Sequence, residues 1–114
     1  METNATRTLV KSAPELWELA DDLARMEAWM AGLTGSPRPL SVEVMHRDPE
    51  RGLVWRASGG EDGWIALELA EKGFGTSVSI TAHHSRPDPA HVDTALERLL
   101  DELGSPERRP FERT

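Results

Sequence analysis

The sequence contains no cysteine and no tyrosine, and only two phenylalanines. Without cysteine there are no disulfides, no thiolate nucleophile and no thiolate metal site, and the chain suits a reducing compartment such as the cytoplasm. With so few other aromatics, nearly all the aromatic surface resides in Trp17, Trp29, Trp55 and Trp64. No apolar run approaches the roughly 20 residues that a membrane helix needs. The polar stretch from Met1 to Arg7 lacks the apolar core of a secretory signal, so no membrane partner is expected. Positive charge is also scarce: 13 Lys and Arg stand against 20 Asp and Glu, for a net charge of -7. A phosphate backbone would be repelled by most of such a surface. The one basic concentration, Arg108, Arg109 and Arg113, is interrupted by Glu107 and Glu112, so nucleic acid is not an expected partner.

What is present is ordinary for a globular domain. Of 114 residues, 38% are apolar and 29% charged, which fits one domain over residues 1–114 with residues 1–5 and 105–114 as flexible ends. Thr6 to Lys11 reads as a short strand. Ser12-Ala13-Pro14-Glu15 spells a capping box, in which serine and glutamate each satisfy the other's backbone amide, and Pro14 suits the first helical turn. Leu16, Leu19, Ala20, Leu23, Met26, Met30 and Leu33 then keep helical spacing, which fits one bent helix or two short ones. Gly32, Gly35, Pro37 and Pro39 are expected to end it.

Alternation replaces helical spacing beyond this point. Val42 and Val44 share one face of a strand; Leu53, Trp55 and Ala57 share one face of the next; Ile65, Leu67 and Leu69, then Val78, Ile80 and Ala82, repeat the pattern. Glu68, Ser77, Ser79 and Thr81 fall on the opposite face. Such a period of two predicts an antiparallel sheet with one wet face. The intervening Asp48 to Gly52, Gly59 to Gly63 and Glu71 to Gly73 are turn-rich, which predicts a meander. The last element carries a continuous stripe of Val92, Ala95, Leu96, Leu99, Leu100 and Leu103, with Asp88 and Pro89 before it and Gly104 after it. Burying its four leucines and valine is worth on the order of 10 kcal/mol gross, so the helix must lie on the sheet's apolar face.

Several strings in this order resemble the START-like superfamily, also called SRPBCC or polyketide cyclase/dehydrase-like. Thr8-Leu9-Val10-Lys11-Ser12-Ala13-Pro14-Glu15-Leu16-Trp17-Glu18-Leu19 looks like its opening strand and first helix, and Glu27-Ala28-Trp29-Met30 like the end of its second. Pro49 to Arg56 resembles a mid-sheet hairpin, and Gly75-Thr76-Ser77-Val78 the recurrent Gly-Thr-x-Val strand start. The resemblance implies an α+β helix-grip fold, in which a curved antiparallel sheet closes around a long C-terminal helix. Members bind lipids, hormones or polyketides, and a minority are enzymes. The chain departs from the pattern where only Thr34 to Leu40 separates the helical pair from the Val42 strand. About five strands are therefore expected, a shortened sheet with a reduced cavity and an exposed edge that invites dimerisation.

The candidate chemistry is thin. Met26, Trp29, Met30, Trp55, Leu67, Ile80, Leu96 and Leu99 would line a cavity if one exists, because pockets are mostly apolar. The tryptophans serve equally to fill a small core, which is the heavier expectation. Adjacent His83 and His84 point to opposite faces of a strand and, with His91, do not make a metal site, so solvated histidines are expected. Glu68 on the outer face reads as solvated; an inverted face would make it the best acid or base. No Gly-x-Ser-x-Gly elbow or phosphate loop is present. No catalytic residue, metal or cofactor is assigned. The leading expectation is a non-catalytic domain binding a small hydrophobic ligand. The alternative is a homodimeric or protein-interaction module with a side-chain-filled core, and a cyclase- or hydrolase-like enzyme comes third.

Overall fold

The computed structural model describes residues 2–35, 40–58, 63–84 and 89–104. Along the chain these form β1 (Glu2–Leu9), α1 (Ala13–Ala20), α2 (Leu23–Thr34), β2 (Val42–Asp48), β3 (Gly52–Ala57), β4 (Gly63–Lys72), β5 (Gly75–His84) and α3 (Pro89–Gly104). The five strands make one sheet in the order β1-β5-β4-β3-β2, with every neighbouring pair antiparallel. The expected α+β architecture is present.

Alternation sets the inner face. Leu53, Trp55 and Ala57 on β3, Ile65, Leu67 and Leu69 on β4, and Val78, Ile80 and Ala82 on β5 are all buried. They join Val92, Leu96, Leu99, Leu100 and Leu103 of α3 in one apolar cluster. Ala95, counted in the same stripe, is half-buried at its border. The α1–α2 pair adds Leu16, Ala20, Met26, Trp29, Met30 and Leu33 to that cluster. The sheet therefore has one face covered by all three helices and one face toward water.

The helices begin and end for local reasons. Ser12 accepts a hydrogen bond from the Glu15 amide while Glu15 accepts from the Ser12 amide at 3.1 Å, closing the capping box at α1. Asp21 ends α1, and Asp22 caps α2 by accepting from the Ala24 amide at 3.0 Å. The adjacent aspartates break the run into two helices. Gly32 does not end α2; the helix passes through it to Thr34, and Gly35 terminates it at a φ of 79°, a conformation glycine adopts without steric cost.

Two features differ from the expected strands. β1 starts at Glu2, so Glu2 to Ala5, expected within a flexible end, are paired with β5 from Glu2↔His83 onward. The stretch Glu2 to Asn4 has little apolar character, and only the partner strand reveals its state. β2 carries an irregularity at Met45, between Val44 and His46, after which Arg47 rather than His46 falls opposite the inner-facing Leu53. This bulge brings Arg47 to Asp21 at the end of α1, with an N–O distance of 3.0 Å.

The Gly-Thr pair that opens β5 has a physical account. A Cβ at Gly75 would collide with the Leu9 carbonyl oxygen, so glycine lets the end of β1 approach the start of β5. The hydroxyl of buried Thr76 then donates to the Lys11 carbonyl at 2.7 Å. This pins the chain as it leaves the sheet for α1. Gly73, at a φ of 61°, opens the two-residue turn between Lys72 and Gly75. The expected Asp88 cap, the turn over 59–62, the prolines at 37 and 39 and the tail over 105–114 lie outside the described residues.

Four stability measurements check this account. Leu99→Ala, at a side chain 1% exposed, is expected to cost about 2–5 kcal/mol in urea unfolding. Leu23→Ala, at a side chain 55% exposed, should change stability by no more than about 0.5 kcal/mol. Thr76→Val removes the hydroxyl that donates to the Lys11 carbonyl and should cost about 1–3 kcal/mol; a neutral result would refute the pinning role given to this hydroxyl. The Ser12 amide and hydroxyl hold the Glu15 carboxyl below its ordinary value. That contribution is complete above the unfolded-state value and is lost as pH falls through the folded one. Glu15→Gln keeps an acceptor for the Ser12 amide but does not titrate. The stability gap between wild type and Glu15→Gln should therefore shrink on acidification, and a pH-independent gap would refute the assignment.

Candidate functional site

The eight side chains expected around a cavity come from five elements: Met26, Trp29 and Met30 from α2, Trp55 from β3, Leu67 from β4, Ile80 from β5, and Leu96 and Leu99 from α3. The fold brings all eight into one contiguous cluster. None is more than 7% exposed, and seven are at 2% or below. At these positions the space between sheet and helices is occupied by side chains.

The two indoles at the centre differ in their polar atoms. Trp29 and Trp55 lie with ring centroids 6.0 Å apart and planes tilted by 39°, within the range of favourable aromatic pairs. Trp29 donates its Nε1–H to Glu102 Oε2 of α3 at 2.8 Å. Trp55 is fully buried, and its Nε1–H finds no acceptor among the described residues. A buried donor left without a partner costs about 1–3 kcal/mol. Among the described residues it is the member of this apolar cluster whose buried polar side-chain atom is left without a partner.

On the outer side of the helices, α2 and α3 leave an open groove of about 300 Å³. Ala28, Gly32 and Ala95 make it possible by being small, and Trp29, His91, Thr94, Arg98 and Glu102 surround them. His91 is half-buried here, on a helix, rather than a solvated strand-end residue. The His83 ring stacks on half-buried Trp64 on the outer sheet face, with centroids 5.7 Å apart and planes within 8°. The His84 side chain lies outside the described residues. Among the described residues, no three His, Asp or Glu side chains gather as a metal site would require.

Charged residues on α3 have partners on other elements. Arg7 of β1 is ion-paired with Glu97 and with Asp101, the latter at 2.6 Å. Its guanidinium is held above its ordinary value, chiefly by the hydrogen bond to Asp101. Arg7 stands opposite Val78 on the inner side of the edge strand, so this clamp ties β1 to α3. The outer face carries polar cross-strand contacts: Glu43 with Arg56 at 2.7 Å, and Thr81 donating to Asn4 at 2.7 Å.

Glu68 is exposed on that outer face, where small neighbours Gly52, Ala66, Ala70, Ser77 and Ser79 leave an open depression of about 360 Å³. His46, Asp48 and Arg51 border it. The expected face assignment for Glu68 holds, and the carboxylate faces water rather than the apolar interior. A third open groove, of about 410 Å³, lies at the β4–β5 hairpin beside exposed Val10 and Phe74. Among the described residues, no helix is long and apolar enough to cross a membrane.

No family model matches the sequence, and no curated protein matches it either. Solved structures do. The Aha1 dimer from Colwellia psychrerythraea is similar with a TM-score of 0.67 at 18% identity, over 91% of this chain and 96% of that one. DR_A0006 from Deinococcus radiodurans gives 0.65 at 17% identity, over 90% of this chain and 97% of that one. CalU16 from Micromonospora echinospora gives 0.67 at 22% identity, over 90% of this chain but 63% of that one. At such identities the likeness is one of fold. With a five-stranded antiparallel sheet gripping a C-terminal helix and a helical pair after the first strand, the chain has the START-like helix-grip fold of these SRPBCC-like structures.

Proposed function

We propose that this chain is a non-catalytic START-like domain that works by association, as a homodimeric interaction module whose core is filled by its own side chains. The observation that carries this reading is the packing of Met26, Trp29, Met30, Trp55, Leu67, Ile80, Leu96 and Leu99, none more than 7% exposed. A ligand of lipid or polyketide size fits only where a pocket of roughly 300 Å³ or more is enclosed. What the sheet offers instead is two edges, and edges recruit strands. The similarity to the Aha1 dimer from Colwellia psychrerythraea is in keeping with association. Glu68, Ser77 and Ser79 line an open, water-facing depression, and Glu43 is paired with Arg56, so none of these groups stands in an enclosed apolar cleft that would shift it toward acid, base or nucleophile work. The cysteine-free composition suits the cytoplasm.

A second reading, a small hydrophobic ligand between sheet and α3, is favoured by one observation. The Trp55 Nε1–H is buried without an acceptor among the described residues, and a ligand oxygen would satisfy it. The same eight residues would then move apart to admit the ligand.

Native mass spectrometry of the protein purified from its own host separates the two. The expected spectrum is a dimer with no added mass. A monomer at all concentrations would refute association, and a retained small molecule on that monomer would establish the second reading.

A further inference from the structure

The two edges of the sheet are built differently, and the difference points to one of them. At the β2 edge, the irregularity at Met45 breaks the regular ladder, and Glu43, His46, Arg47 and Asp48 crowd a seven-residue strand. A bulge and a run of charge are the usual means by which an edge is kept from pairing. At the β1 edge there is no such protection. β1 pairs with β5 at eight successive positions, Glu2↔His83 to Leu9↔Thr76, with no register shift. Its middle, Thr3-Asn4-Ala5-Thr6, contains no charge, proline or glycine.

The side chains of β1 are also drawn away from its free edge. Asn4 accepts from Thr81, and Thr6 lies 3.3 Å from the Ser79 hydroxyl, both on β5. Arg7, the one cation of the strand, is taken up by Glu97 and Asp101 on α3. On the side away from β5, β1 meets no strand among the described residues, which leaves main-chain donors and acceptors as its principal feature there.

We propose that β1 is the association surface and that its occupant is the β1 strand of a second copy, paired antiparallel about a two-fold axis so that two five-stranded sheets continue into one. This rests on the association reading above and names its surface. A two-fold perpendicular to the sheet keeps both inner faces on one side, so only residues of like face can oppose each other. With Ala5 opposite Ala5 of the second copy, Asn4 meets Thr6, Thr3 meets Arg7 and Glu2 meets Thr8. No like charges are brought face to face, and no large side chain meets another. Each copy carries a net charge of -7, so mutual repulsion is least harmful at a strand whose middle carries no charge. The pairing should tighten as added salt screens that repulsion.

The test compares edges. In sedimentation equilibrium the wild-type protein is expected to be a dimer, tighter at higher salt. The double variant Asn4→Lys/Thr6→Lys brings four ammonium groups to the two-fold axis and should be monomeric, with unchanged far-UV circular dichroism. His46→Lys, at the other edge, should remain dimeric. Amide hydrogen exchange on the wild type gives a second readout that needs no variant. The β1 amides pointing away from β5 should slow roughly tenfold or more on dimerisation, and those at the β2 edge should not. A dimer that survives the β1 lysines, or whose outward β1 amides exchange freely, would overturn the β1 assignment while leaving association in place. A wild-type protein that is monomeric throughout would overturn both.

Discussion

Burial of the α3 stripe against the inner sheet face is the contact on which the rest of the molecule depends. Val92, Leu96, Leu99, Leu100 and Leu103 meet the inward side chains of β3, β4 and β5 in one cluster. A chain of this length has one core and little surplus, so no second apolar centre could hold the strands if this one were lost. The helical pair fills what the sheet and α3 leave open, placing Met26, Trp29 and Met30 over the same strands. The polar contacts are arranged around that core. Arg7 reaches α3 across one border through Glu97 and Asp101, and Arg47 reaches Asp21 across the other. Exposed ion pairs of this kind contribute little stability individually, and their role is to fix how the edge strands sit against the helices.

The short sheet bears on how much room the interior leaves. A broader sheet can curve around its helix and still enclose unfilled space. Here five strands and three helices converge on a space that two indoles, two methionines and several leucines occupy. The polar atoms of the indoles show how finely that packing is balanced: Trp29 has Glu102 at the rim, whereas Trp55, deeper in, has no described acceptor. Satisfying Trp55 would need either a water molecule or a ligand oxygen in a region that is otherwise apolar and filled. The same economy leaves the sheet with two ends to manage, and the chain treats them unequally. One carries a bulge and charge, and the other is straight and uncharged along its middle.

Much of the fold was legible in the residues because its signals are local and periodic. The period of two in Leu53 to Ala57, Ile65 to Leu69 and Val78 to Ala82 marks which face is apolar, and the structure buries those residues. The box at Ser12 and Glu15 is a four-residue pattern with a single geometric solution, and it forms. The eight apolar residues named as a cavity lining lie together in one buried cluster. The features that were not legible join residues far apart or depend on a partner strand. Arg7 and Asp101 are 94 positions apart, and Trp29 and Glu102 are 73 apart. No local pattern marks either pair. The extension of β1 to Glu2 rests on hydrogen bonds to β5, and the irregularity at Met45 rests on how β2 must turn toward α1.

The chain by itself determined its strands, its amphipathic final helix, its acidic character and the apolar inventory of its interior, because each follows from residue type and short-range spacing. Only the tertiary structure decided how closely that inventory packs, which charges on α3 find partners, and which two strands stand at the edges of the sheet. Those outcomes depend on distances between elements remote in sequence, and on backbone groups that every residue carries alike.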